Sequence, residues 1–152
     1  MISVSKKLEV NPASESIKLN RQQVWTGLVR KAENAVPYVK AITSCKVVQR
    51  DVDRLVREVV LHGETLQELI LFFENERIEF VRLSGHAKGL IKNIMEEDAN
   101  GNLFLRFTFD IVLEGVEAGS PHEQEFAAGM EAAYLDAVRT TLLRMREEAA
   151  LA

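Results

Sequence analysis

Between Ser44 and Leu113 the hydrophobic pattern repeats every two residues, and every break in it is short. The breaks are Asp51-Val52-Asp53, His62-Gly63-Glu64, Glu74-Asn75-Glu76, Ser84-Gly85-His86 and Asp98-Ala99-Asn100-Gly101-Asn102. Each carries turn residues, and Asn100-Gly101 is the strongest hairpin signal among them. Parallel neighbours need a crossover of roughly a dozen residues. None of these breaks is that long. Segments 45–50, 54–61, 65–73, 77–83, 88–95 and 103–113 therefore read as an antiparallel meander. Residues 3–10 also alternate, with Val4, Lys6, Leu8 and Val10 on one side, and add a first strand.

Two stretches have helical period instead. Asn20 is positioned to cap a helix running to about Asn34, with Val24, Trp25, Leu28, Val29 and Ala32 as its buried stripe. Arg21, Arg30, Lys31 and Glu33 are assigned to water, and Trp25 to the core rather than to a ligand. Residues 36–42 predict a short second helix with Pro37 in its first turn, forming a pair with the first. The last thirty residues predict the longest element. Ser120, Pro121 and Glu123 form a start signal of the capping-box type. Phe126, Met130, Ala133, Ala137 and Thr141 then recur at helical spacing, beside Tyr134, Val138, Leu142 and Met145. At ~1.5 Å per residue this helix is roughly 40 Å long. It needs a broad apolar surface, and the meander can supply one. Gly129, Ala133 and Ala137 make the helix face thin near its middle, which would leave room over the sheet.

Strand 103–113 shows how the sheet is oriented. Leu103, Leu105, Phe107, Phe109, Ile111 and Leu113 share one side, and Phe104, Arg106, Thr108, Asp110 and Val112 the other. The first side must face the long helix, because burying the charged and polar groups would cost more than exposing Phe104. Charges on otherwise apolar faces are the sharper clue to function. Arg57 lies with Leu55, Val59 and Leu61, and Glu68 with Leu66, Ile70 and Phe72. Arg82 follows Ile78 and Phe80, and Asn93 lies with Gly89, Ile91 and Met95. A buried charge must be paired or must meet a ligand. For Glu68 alternation does not choose a face, since Leu69, Leu71 and Phe73 are equally apolar. A structural Arg–Glu pair without a ligand is the competing reading. Glu58, beside Val56 and Val60, is assigned to the surface.

A chain of 152 residues, 47% hydrophobic, can bury one core and forms a single domain, 1–152. The net charge of -4 argues against nucleic acid, and no apolar run has the length of a membrane span. The first residues alternate and carry charge too early for a signal peptide. The single cysteine, Cys45, excludes an internal disulfide, and a cytoplasmic location is expected. His62, His86 and His122 share no metal-ligand spacing, and no phosphate loop, HExxH or GxSxG occurs; no metal and no cofactor are expected. His62 and His86 are placed in turns and His122 in the first helical turn.

Several stretches carry a resemblance. They are Leu19 through Leu28, Cys45-Lys46-Val47, Arg57-Glu58-Val59, Lys92-Asn93-Ile94, and Gly101 through Phe109. With the element order, they make the chain similar to the AtaL-like branch of the START-like (SRPBCC) ligand-binding superfamily. The resemblance covers nearly the whole chain. It implies an α+β helix-grip fold and a deep cavity between sheet and C-terminal helix, but the branch has no established catalytic set to carry over.

The expected function is binding of a small hydrophobic or aromatic molecule in that cavity. The candidate lining is Arg57, Glu68, Phe72, Phe80, Arg82, Asn93, Phe107, Phe109, Met130 and Tyr134, with either arginine suited to a ligand carboxylate or phenolate. Two alternatives stand. One is an interaction protein without a ligand, using the outer sheet face, where Phe104 and Val112 are compatible with a homodimer. The other is a cyclase- or hydrolase-like enzyme of polyketide or aromatic metabolism, with Glu68 or another inward carboxylate as base and Arg57 or Arg82 stabilising an enolate.

Overall fold

In the computed structural model, which describes residues 1–151, the elements run β1 (Ile2–Glu9), α1 (Arg21–Glu33), β2 (Ile42–Arg50), β3 (Arg54–Leu61), β4 (Glu64–Phe73), β5 (Arg77–Arg82), β6 (Ala87–Glu97), β7 (Leu103–Leu113) and α2 (Pro121–Leu151). All seven strands form one antiparallel sheet in the order β1-β7-β6-β5-β4-β3-β2. β1 closes the meander by pairing with its last strand, so both helices lie outside the run of hairpins. β3 and β7 keep their expected limits, and the others shift by a few residues at their ends.

Local chemistry sets the helices. The Asn20 side chain accepts the Gln23 N–H, and Gln23 Oε1 accepts the Asn20 N–H, each at 2.8 Å. This is a reciprocal capping box. At α2, Ser120 Oγ accepts the Glu123 N–H at 3.2 Å, but Glu123 Oε1 accepts from Gly119 at 3.0 Å and not from Ser120. The Ser120 N–H is already taken by the Glu117 carbonyl. α2 lies against α1, β1 and β7. Gly27 makes the α1 contact close, since a Cβ there would fall 2.5 Å from Met145 Cγ.

The expected second helix does not form. Residues 36–41 make turns, and Ile42 already belongs to β2. The Ala35 carbonyl accepts from both Tyr38 and Val39, closing one turn that is not continued. Seven residues containing Val36, Val39 and Ile42 are too few and too β-branched to sustain a helix against strand pairing. There is thus one helix after β1, not a pair.

Leu105, Phe107, Phe109 and Ile111 of β7 are fully buried beneath the helices, while Val112 is exposed and Phe104 lies under the Lys7 ammonium. Trp25 is buried in the same core. α2 is seated unevenly. Val138, Thr141, Leu142, Met145 and Arg146 of its C-terminal half are buried, but no residue before Val138 is. Gly129 and Ala133 face water and Ala137 is half-buried, so two of the three small residues expected to make room over the sheet are on the wrong side of the helix. No described helix is long and apolar enough to cross a membrane.

Candidate functional site

Sheet register builds the site. Arg57 is opposite Glu68, Glu68 opposite Arg82, Arg82 opposite Gly89, and Gly89 opposite Ile111. Side chains opposite one another across a ladder share a face. All three charged residues therefore stand in one row across the inner face, and all are at least nine-tenths buried. The ambiguity at Glu68 resolves inward, with Leu66 and Ile70, while Leu69, Leu71 and Phe73 are half-buried on the outer face.

Within the row, Glu68 Oε1 accepts from Arg57 Nε at 3.0 Å and Nη2 at 2.8 Å. Arg57 Nη1 donates to the carbonyls of Lys31 and Ala32, each at 3.0 Å, tying the pair to the end of α1. Glu68 Oε2 lies 3.5 Å from Arg82 Nε. That contact is an ion pair and not a hydrogen bond, and Arg82 Nε has no hydrogen-bond partner. Arg82 Nη2 reaches the Tyr134 hydroxyl at 3.4 Å. The two arginines thus differ: Arg57 is saturated and Arg82 is not.

One member of the cluster was assigned to water from the sequence. Lys31 is 7% exposed, and its ammonium donates to Asn93 Oδ1 at 2.9 Å. Among the described residues no carboxylate forms an ion pair with it. The signal was present, because Val24, Leu28 and Lys31 follow the i, i+4, i+7 spacing of one helix face. Burial, and then the nearby Arg57 guanidinium, pull the Lys31 amine down to about 8, with Glu68 opposing them.

Aromatic rings complete the arrangement. The Phe80 ring has Arg57 at 5.3 Å and Lys31 at 5.7 Å from its centroid. Tyr134 stacks on Phe107, with centroids 6.0 Å apart, and lies tilted against Phe109 at 5.0 Å. Phe107 is opposite Asn93. The contacts close into a ring: Lys31, Asn93, Phe107, Tyr134, Arg82, Glu68, Arg57, Phe80 and back to Lys31. Burial pushes the Tyr134 phenol above its ordinary range, keeping it a neutral donor. Of the candidate lining, Phe72 and Met130 stand apart as half-buried residues packed against the core. His86 and Phe126 meet edge-on at 6.3 Å, where the β5–β6 turn approaches the open half of α2.

Among the described residues, two surface depressions lie away from the space between the sheet and α2. One of about 300 Å³ is lined by Glu9, Asn11, Leu19, Arg21, Glu97 and Asn102. The other, about 350 Å³, lies on the outer face around Ser5, Lys92 and Asp110.

The ionic row carries a stability prediction. The folded state holds Lys31 near 8 against an ordinary 10.5. Below about 8 the amine is charged in both states, and the whole burial penalty falls on the fold. Between the two values only the unfolded chain keeps the proton, so stability should rise with pH there. Lys31→Met removes about 3 kcal/mol of penalty less about 1 for the lost hydrogen bond, so it should be more stable near neutral pH by roughly 2 kcal/mol. Urea titrations between about pH 7 and pH 10 should show this gain shrinking as pH rises. A variant no more stable than the parent, with the same slope, would mean that the amine is not desolvated.

A seven-stranded meander closed by its first strand and spanned by a long terminal helix, with a polar cluster in an apolar interior, defines a helix-grip fold. Solved structures show the same fold. Zhui aromatase/cyclase from Streptomyces sp. R1128 matches with a TM-score of 0.69 and 13% identity, over 97% of this chain and 94% of that one. A START superfamily protein from Mycobacterium smegmatis matches at 0.65 and 14%, over 95% and 99%. The di-domain aromatase/cyclase StfQ of steffimycin biosynthesis matches at 0.74 and 10%, over 98% of this chain and 52% of that one. The chain belongs to the AtaL family, whose model, described as acetylaranotin biosynthesis cluster protein L, matches residues 4–150. No curated protein matches the sequence.

Proposed function

We propose that this protein binds a small aromatic or apolar molecule bearing an anionic group, between the inner sheet face and the N-terminal half of α2. The observation that carries the reading is the charge count of the buried cluster. Lys31, Arg57 and Arg82 stand against the single carboxylate of Glu68, and Arg82 Nε has no hydrogen-bond partner. An excess of buried cation is costly unless an anion joins it. Arg82 supplies a planar donor fork and Tyr134 a neutral hydroxyl beside it, a pairing suited to a carboxylate or enolate. Phe80, Phe107 and Phe109 offer the apolar walls. The loosely seated half of α2 is the route in, since Phe126, Met130 and Tyr134 are only half-buried there.

Glu68 supports binding over catalysis. Both of its oxygens are engaged by arginines, which suits a counter-ion better than a base awaiting a substrate proton. The aromatase/cyclase activities of the structural neighbours belong to those proteins.

The test uses 2-naphthoate and its neutral isostere 2-naphthamide. Naphthoate at about 100 times its Kd should stabilise the protein by about 2.7 kcal/mol in a thermal or urea titration. The amide should bind at least tenfold more weakly. Arg82→Met should lose roughly 10- to 100-fold in naphthoate affinity, the range for a hydrogen bond to a charged group. Equal affinity for acid and amide, or no effect of Arg82→Met, would refute the proposed orientation. No binding of either would refute the site.

A further inference from the structure

The buried amine of Lys31 plays no part in holding the carboxylate row together. It sits at the far side of the ring of contacts from Arg82, hydrogen-bonded to Asn93 Oδ1 at 2.9 Å. An ammonium has three donors, and this one uses a single protein acceptor. The groups that act on it are Asn93 from β6, the Arg57 guanidinium from β3 and the Glu68 carboxylate from β4. The cations outnumber the carboxylate, and no described carboxylate is in ion-pair contact with the amine. Such surroundings favour the unprotonated, nucleophilic form of a lysine. The Phe80 ring holds the amine and the Arg57 guanidinium at 5.7 and 5.3 Å from its centroid, so nucleophile and cation share one apolar wall.

We infer that Lys31 captures carbonyl compounds covalently, and that ketones and above all 1,3-dicarbonyls are the ligand class it takes. In the step, the Lys31 nitrogen lone pair adds to a carbonyl carbon, and a proton passes from that nitrogen to the carbonyl oxygen, whose developing charge the neighbouring Arg57 guanidinium stabilises. The carbinolamine loses water to give an imine. With a 1,3-dicarbonyl, a proton then moves from the carbon between the carbonyls to the imine nitrogen, giving a conjugated enaminone. Amine and dicarbonyl become enaminone and water, and no oxidant or reductant is needed. The enaminone's remaining carbonyl oxygen is a neutral, electron-rich acceptor, which suits guanidinium and phenol donors such as those of Arg82 and Tyr134. This assignment rests on the interior being open to small molecules, as proposed above.

The probe is acetylacetone, small enough to pass half-buried side chains and able to report without a trapping reagent. At about pH 8, where the amine is partly neutral, the intact protein should gain the mass of one acetylacetone less one water. A near-ultraviolet enaminone absorption should appear, and peptide mapping should place the adduct on Lys31 ahead of the exposed lysines. Lys31→Met, expected to fold at least as well as the parent by urea titration, should lose both signals. Naphthoate should compete with acetylacetone in the parent. If naphthoate binds but Lys31 is modified no faster than the surface lysines, covalent capture is refuted and the binding reading survives. If neither probe engages the interior, both fall. If Lys31 is modified without competition from naphthoate, capture stands and the shared site does not.

Discussion

Glu68→Gln should cost about 3–5 kcal/mol of stability, the toll for stripping the partner from a buried charge. The substitution keeps the shape of the side chain. It removes the one carboxylate that, among the described residues, pairs with Arg57 and Arg82, which are 3% and 9% exposed. Arg57 keeps its two backbone acceptors on α1, so its guanidinium stays in place without a counter-charge. Arg82 keeps only the long contact to Tyr134. For a chain of this size, the melting temperature should fall by roughly 10 °C or more. Replacing Arg57, Glu68 and Arg82 together by apolar residues should cost far less, because removing a whole buried ionic group is often close to neutral. Urea titrations of the single and triple variants decide the matter. A single variant within about 1 kcal/mol of the parent would mean that the row is hydrated and the buried charge excess illusory. Lys31→Met moves the opposite way in the same cluster, so the pair of results locates the sign of the imbalance.

Much of this arrangement was legible in the sequence. Turn chemistry and short connections dictated the meander, and alternation put Arg57, Arg82 and Asn93 on faces with apolar neighbours. Ser120 and Pro121 marked the start of α2. What was hidden is informative in each case. β4 is apolar on both faces, so only its pairing with β3 and β5 could tell that Glu68 points inward. Lys31 was read as solvated because lysine usually is, although its spacing from Val24 and Leu28 put it on the buried face. Residues 36–42 carried a helix-start proline, but strand pairing at Ile42 claimed the end of the segment. Alternation within single strands also says nothing of cross-strand rows. That Arg57, Glu68 and Arg82 stand side by side depends on two hairpin registers, each set by its turn. The uneven seating of α2 was equally invisible, since Phe126, Met130 and Tyr134 look as apolar in the sequence as the residues buried further along.

The other large effect is expected at a position with no side chain. Gly89 continues the charged row, between Arg82 on β5 and Ile111 on β7. Its φ of 151° is a conformation that residues with a Cβ rarely adopt. A Cβ there would stand 2.0 Å from the Asp110 carbonyl oxygen and 3.0 Å from the Ile111 Cα. Both obstacles are backbone, which cannot swing aside as the tip of a side chain can. Gly89→Ala should therefore incur a conformational cost and an overpacking cost together, roughly 3–5 kcal/mol. Gly63→Ala isolates the first of these. Its φ of 78° is also positive, but nothing lies within 4 Å of an added Cβ. That variant should lose only about 1 kcal/mol. Urea midpoints of the two, with amide exchange across β6 and β7, separate conformation from crowding. Equal losses would mean that β6 can draw away from β7 at no cost. The same glycine bears on the site. Arg82 stands opposite it in the row, and its Nε is the guanidinium nitrogen left without a hydrogen-bond partner. The close approach of the two strands and the unsatisfied arginine are thus neighbours in one row. A loss of naphthoate affinity in Gly89→Ala beyond its loss of stability would show that this strand spacing serves the ligand as well as the sheet.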